Sequence, residues 1–277
     1  MRIGFVTAVK LGLECLEEIE RLGGKLSLLI TLEDDTATKK SGRVQLDDYA
    51  RRNGVPLHKT LHINEPATIE TIRLADLDYL LVIGWSQLIS PEIFSLIKKG
   101  LLGMHPTLLP EGRGRAPIPW TILKGLKRSG VSLFELRPEV DSGDIMGVET
   151  YDVDPDETAT TLYEKACHAH VSLIRKIWPD LSTDSLQGQP QNEEKATHWP
   201  QRRPEDGRIA DQLSLEEIDR LVRATTHPYP GAFLSIDGEK FIIWSGRIIE
   251  TEKSGYVLAQ LVRGDFCFEP IDYQWLY

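Results

Sequence analysis

Cysteine is scarce in this 277-residue sequence, and the three present, Cys15, Cys167 and Cys267, are widely separated and odd in number. That argues against a disulfide framework. Cys15 and Cys167 fall in helix-like segments and Cys267 in a strand-like one, which suits buried thiols. Neither CxxC nor HExxH occurs, and His168 and His170 sit two apart on a helical stretch, so they face different ways. No metal site is expected. Apolar runs stay well short of the ~20 residues that a membrane-spanning helix needs. The chain opens on MRIGFVTAVK, an apolar strand-like start without a basic leader or cleavage signal, so a cytoplasmic protein with no membrane attachment is expected.

An excess of positive charge is also missing. The formal net charge is −10, and from residue 201 onward nine Lys and Arg stand against thirteen Asp and Glu. A polyanion-binding surface needs the opposite bias, because phosphate neutralisation dominates nucleic-acid affinity. Local basic patches aside, nucleic acid is not the expected partner. There is no internal repeat, no low-complexity tract, and no G-x-G-x-x-G after the first strand, so an ordinary dinucleotide site is not indicated.

What is present is a run of strand and helix signals. Residues 2–8 and 25–31 are short, apolar and rich in β-branched residues. Between them Cys15, Leu16, Ile19 and Leu22 recur at helical spacing up to Gly23-Gly24. A second helical pattern over 44–53 ends at Asn53-Gly54, and 79–83 (YLLVI) reads as a buried strand. Strands alternating with helices imply crossover connections and a parallel sheet covered on both faces. The expected class is therefore α/β, a Rossmann-like, doubly wound and mostly parallel sheet, with ligands beyond the carboxyl ends of the strands. A long helix over 157–178 carries the apolar stripe Leu162, Ala166, Ala169, Leu173 and Ile177.

Composition then shifts, with 179–206 polar and containing four prolines. Beyond it, Ser214 and Glu217 form a capping box for a helix to about 224. Asp237-Gly238 marks a hairpin, and further strands are expected near 246–250, 255–262 and 266–269. The expected division is a catalytic domain over 1–180, a linker over 181–205 and a small β-rich domain over 206–277.

Residues 100–145 carry the chemistry. HPTLLPEGRGRAPIP holds four prolines, two glycines and two arginines, a stiff loop that exposes its backbone at the expected ligand edge. PEVDSGD follows the strand VSLFEL and brings carboxylates to the same edge. An imidazole with a nearby carboxylate is a general acid–base pair, here His105 and Asp141. Taken alone the pairing is weak, since a histidine in a proline-rich loop is more often structural.

HPTLLP (105–110), RGRAP (113–117) and DSG (141–143), with thirty-six residues from His105 to Asp141, resemble the folate-dependent formyltransferase family. RRPEDGRI (202–209) and PYPGAF (228–233) resemble that family's second domain. The likeness reaches methionyl-tRNA formyltransferases and, most in style, nucleotide-sugar N-formyltransferases. It implies transfer of a formyl group from N10-formyltetrahydrofolate to an amine, with His105 moving the amine proton and Asp141 orienting and polarising it. It further implies a folate site built largely from backbone near 83–89, with Trp85, Gln87 and Leu88 as candidates by position, together with the loop ending at Asp141. Trp85 has an alternative role, covering the sheet edge. One departure stands out. The family's asparagine, two before the histidine, is Gly103 here, and losing an oxyanion donor typically costs roughly 3–4 kcal/mol. A backbone N–H or water in the space left by glycine, a side chain such as Ser86 or Gln87, or impaired catalysis are the three readings.

For the acceptor, a nucleotide-linked amino sugar fits an acidic and short second domain better than tRNA. Lys40, within the loop holding Lys39, Ser41 and Gly42, and Arg113 and Arg115 are the candidate phosphate ligands. A solvated surface loop is the bland alternative for Lys40, and one of the two arginines is open to a structural role. Methionyl-tRNA formyltransferase, a formyltetrahydrofolate hydrolase and a catalytically impaired binding protein remain alternatives. Trp275-Leu276-Tyr277 is a candidate contact for a homodimer.

Overall fold

IGFV, LLITL and YLLV are apolar at nearly every position, and such strands are stable only where both sheet faces are covered. The computed structural model describes residues 1–34, 43–255 and 258–276. Its first part alternates strictly: β1 (Ile3–Val6), α1 (Lys10–Arg21), β2 (Leu28–Leu32), α2 (Asp47–Asn53), β3 (Leu57–Thr60), α3 (Pro66–Ala75), β4 (Tyr79–Val82), α4 (Pro91–Leu96) and β5 (Gly100–His105). Then come β6 (Arg113–Gly114), α5 (Pro117–Leu123), β7 (Arg128–Glu135), β8 (Ile145–Asp152), α6 (Ala159–Thr183) and β9 (His198–Trp199). The chain closes with α7 (Leu215–Thr225), β10 (Ala232–Ile236), β11 (Glu239–Glu250), β12 (Val262–Arg263) and β13 (Phe266–Leu276).

The main sheet has the order β3-β2-β1-β4-β5-β7-β8. Strands β3, β2, β1, β4 and β5 are parallel, and β7 runs antiparallel to β5. A smaller antiparallel sheet, β10-β11-β13-β12, lies near the C-terminus. This is the α/β class expected from the pattern. Two compact units interleave along the chain. The first is Met1–Arg113, Gly130–Tyr151 and Ala166–His198, and the second is Gly114–Ser129, Asp152–Lys165 and Trp199–Tyr277.

In the first unit the core beneath the site is Val6, Leu80, Val82, Ile63 and Ile93, with half-buried Trp85 and Leu136 packed on it. In the second, α7 sets Leu215, Ile218, Leu221 and Val222 against Leu234, Phe241, Ile243 and Phe268. The capping box forms, with Ser214 Oγ accepting from Glu217 N and Glu217 Oε2 accepting from Ser214 N. At the hairpin, Asp237 and Gly238 both have positive φ, as a type I′ turn requires.

Four details differ from the pattern. β3, α3 and α4 carry weaker apolar signals and were not legible. Residues 246–250 are the second half of β11, continued through a bulge between Ile243 and Gly246. Of 255–262, the described part is a 3-10 turn, Ala259–Leu261, leading into β12. Helix α6 runs through Pro179 to Thr183, and residues up to His198 then belong to the first unit. No helix among the described residues is long and apolar enough to cross a membrane.

Candidate active site

β5 ends at His105, and the alternation of a strand puts Gly103 and His105 on one face. His105 is 8% exposed, and its Nε2 lies 2.8 Å from the Gly112 carbonyl oxygen. A carbonyl only accepts, so Nε2 carries a proton, and in the neutral form of the ring the lone pair is on Nδ1. Nδ1 lies 3.7 Å from Asp141 Oδ2. That is too long for a hydrogen bond but close enough for an ion pair once the ring gains a proton.

Asp141 reaches this place by an indirect route. Because β7 is antiparallel to β5, Glu135 lies opposite Leu102, and Leu136 N donates to Leu101 O at 2.8 Å. The chain leaves β7 beside the early half of β5, and the loop must return for Asp141 to meet His105. Two backbone features permit this. Asp141 has φ of 52°, a left-handed conformation that aspartate tolerates better than most residues. Gly143 passes so close to β7 that a Cβ there would lie 1.8 Å from Glu135 O. The second aspartate of the loop, Asp144, pairs instead with Arg137 at 3.1 Å.

The space beside Gly103 is not open. A Cβ at this position would lie 2.7 Å from Leu136 Cδ2 and 3.2 Å from its Cγ. The expectation that glycine leaves room for a backbone donor or water is thereby corrected: the Leu136 side chain fills that room. Gln87 is not available there either. Its Oε1 accepts from Ile63 N at 2.8 Å and its Nε2 donates to Leu61 O at 2.9 Å, while Asn64 returns the clamp to Leu88 O and Ser90 N. Gln87 therefore shapes its loop and presents no free amide, Trp85 packs half-buried on the core, and Leu88 is 72% exposed.

The cations expected at a phosphate also separate. Lys40, with Lys39, Ser41 and Gly42, lies outside the described residues. Arg113 is 4% exposed; its Nε and Nη2 donate to Gln191 Oε1 at 3.1 and 2.8 Å, and its Nη1 and Nη2 to Glu193 at 2.9 and 2.7 Å. A guanidinium so committed has no fork left for a phosphate, so the phosphate reading of Arg113 is replaced by a structural one. Arg113 in turn holds the Glu193 carboxyl below its usual range through these bonds. Arg115 is exposed and lies in the second unit.

Sequence reasoning missed four residues here: Leu136, Gln191, Thr197 and Ser132. Ser132 Oγ donates to Thr107 O at 2.8 Å and accepts from Leu109 N at 3.1 Å, fixing the proline-rich loop to β7. A lone hydroxyl in the apolar strand VSLFEL was its signal, since a buried hydroxyl needs partners. The other three carried none. Among the described residues no group of three or more His, Cys, Asp or Glu is placed to hold a metal.

The formyl transferase family profile matches residues 29–177, and the profile of the formyl transferase C-terminal domain matches 202–263. The chain belongs to the formyl transferase family. Solved structures agree in fold. A methionyl-tRNA formyltransferase from Clostridium thermocellum is 21% identical, with 100% of this chain and 99% of that one covered and a TM-score of 0.65. An N-formyltransferase from Helicobacter canadensis, in complex with folinic acid and dTDP-3-aminofucose, is 19% identical over 98% and 96%, with a TM-score of 0.72. HypX from Aquifex aeolicus is 19% identical with a TM-score of 0.66; 92% of this chain covers 41% of HypX, so the chain spans about two fifths of that protein.

Proposed function

We propose that this member of the formyl transferase family transfers a formyl group from N10-formyltetrahydrofolate to the amine of a nucleotide-linked amino sugar. The observation that carries the reading is the fixed tautomer of His105: Nε2 is committed to Gly112 O, and Nδ1 faces Asp141. Formylation requires the acceptor nitrogen to lose a proton, and Nδ1 is the atom placed to take it. The imidazolium so formed stands opposite a carboxylate, which favours it electrostatically. Asp141 thus balances the charge of the protonated ring, while the Gly112 carbonyl sets the ring's orientation.

The donor, when bound, supplies the electrophilic formyl carbon. The residues present fit it through the loop after β4 and the loop carrying Asp141. The Gln87 and Asn64 clamps hold the backbone of 87–90 in place, and exposed Leu88 and Val140 offer apolar cover for a flat heterocycle. For the acceptor, support comes from the dTDP-3-aminofucose bound by the Helicobacter canadensis protein, which this chain resembles in fold, and from the acidic balance of the chain.

A second reading, binding without fast transfer, is favoured by Leu136, which fills the place from which a side chain at 103 would reach the developing oxyanion. One experiment separates these. The protein is incubated with N10-formyltetrahydrofolate, with and without a panel of dTDP- and UDP-linked 3- and 4-amino-dideoxy sugars, and products are followed by mass spectrometry. A formylated sugar supports the proposal; formate release without acceptor marks a hydrolase; intact folate that nonetheless binds marks the second reading. His105→Ala is expected to abolish turnover while folate binding stays measurable by calorimetry, and undiminished turnover would refute the assignment of His105.

A further inference from the structure

Residues 189–197 run alongside both loops that supply the catalytic pair, and the bonds they make converge on those two residues. Gln191 Nε2 donates to Asp141 O at 2.8 Å and to Gly143 O at 2.7 Å. Its Oε1 accepts from Arg113, which only donates, so the amide has one possible orientation. At the other end, Thr197 Oγ1 accepts from Gly112 N at 2.9 Å, Thr197 N donates to Pro110 O at 3.2 Å, and Arg113 N donates to Thr197 O at 2.9 Å. Gly112 is the residue whose carbonyl fixes the His105 tautomer. Paired bonds between Gln189 and Ile145, at 2.8 and 2.9 Å, pin the start of the segment to β8.

We propose that this segment is a strap that sets the relative placement of His105 and Asp141, with Gln191 and Thr197 as its positioning residues. The proposal rests on the reading of His105 and Asp141 as the catalytic pair. Asp141 sits in a left-handed conformation, and such a residue persists only where its surroundings hold it. Gln191 does this by binding the carbonyls on both sides of Ser142. No other residue type does both jobs at this reach: glutamate accepts from Arg113 but offers nothing to two carbonyls, and asparagine is one methylene shorter. Thr197 acts on the partner, holding the peptide of Gly112 so that its carbonyl meets Nε2.

The test uses the full chain. Gln191→Glu keeps the Arg113 bonds and removes the donation to 141 and 143. It is expected to lower kcat about tenfold to a hundredfold with little change in KM for the donor, the scale of loss that follows a misplacement of about 1 Å. In an Asp141→Asn background the same change should cost less than about twofold more, because the two act as one unit. Gln191→Met, which removes both sets of bonds without adding charge, should reproduce the loss. Thr197→Val should shift the 15N resonances of the His105 ring away from the pure Nε2–H tautomer, and Thr197→Ser should restore them. If Gln191→Glu costs as much in the Asp141→Asn background as alone, or if Thr197→Val leaves the ring resonances unmoved, the strap proposal is overturned. The NMR comparison needs no turnover. A wild-type chain that formylates no sugar therefore defeats the functional reading while the strap is still decided.

Discussion

Gly103 and Leu136 occupy one volume between them, so neither can be changed without regard to the other. Residue 103 shares a strand face with His105, and a side chain there would point into the site. Leu136 arrives from β7 because Glu135 is in register with Leu102, and its side chain lies where a Cβ on residue 103 would go. Installing an amide at 103 must therefore displace a branched apolar side chain, and forced overpacking costs typically 1–3 kcal/mol. Gly103→Asn alone is expected to lower the melting temperature without raising kcat. Gly103→Asn with Leu136→Ala clears the space and should raise kcat by roughly tenfold or more, on the scale of one added oxyanion donor. The comparison is made by steady-state kinetics on the proposed sugar acceptor and by thermal melts. A single variant as active as the double one would show that Leu136 does not obstruct the site.

Helix α6 contributes a second histidine behind this face. His170 is 2% exposed, and its Nδ1 donates to Ala166 O at 2.7 Å. Burial lowers its pKa from 6.5 to about 4, with a smaller push from the charge of His105, while the Ala166 bond opposes both. Its folded value is depressed, so the unfolded chain binds the proton first and stability falls as pH drops from 6.5 towards 4. His170→Asn keeps a donor for Ala166 O and removes the titration. Its melting temperature should fall less than that of the wild type between pH 7 and pH 5; equal falls would exclude His170 as the source. Elements of this kind were legible to different depths. The α6 stripe from Leu162 to Ile177, the Ser214–Glu217 cap and the Asp237-Gly238 turn are local signals, set by residues at most a few turns apart. His105 and Asp141, the proposed catalytic pair, were legible only as motifs within one stretch. Gln191 was not, since QPQNEE reads as a polar linker, and its role depends on a contact fifty residues away with Asp141. Leu136 was missed for the same reason: its meaning comes from the antiparallel register of β7, which apolar alternation does not specify.

At the scale of the whole molecule, charge constrains the acceptor more than any single residue does. A net of −10 at pH 7 and a sequence pI near 5.3 give a field that repels a polyanion at long range. A tRNA carries many phosphates, and its binding requires basic side chains to release condensed counterions, with affinity falling steeply as salt rises. A sugar nucleotide carries two, which one or two well-placed cations can meet against an otherwise acidic surface. The fold is common to both acceptor classes: a methionyl-tRNA formyltransferase and an N-formyltransferase in complex with dTDP-3-aminofucose both match this chain over nearly their whole length. The expectation is that initiator methionyl-tRNA binds no tighter than about 10⁻⁴ M at 150 mM salt, the weak end of non-specific nucleic-acid binding. A dTDP-linked amino sugar should bind with a dissociation constant at least tenfold lower, and its affinity should depend only weakly on salt because few ions are released. Fluorescence anisotropy with labelled tRNA and calorimetry with the sugar nucleotide, each from 50 to 300 mM salt, make the comparison. Tight, steeply salt-dependent tRNA binding would overturn the sugar assignment, because it would require a basic surface that the charge of the chain argues against.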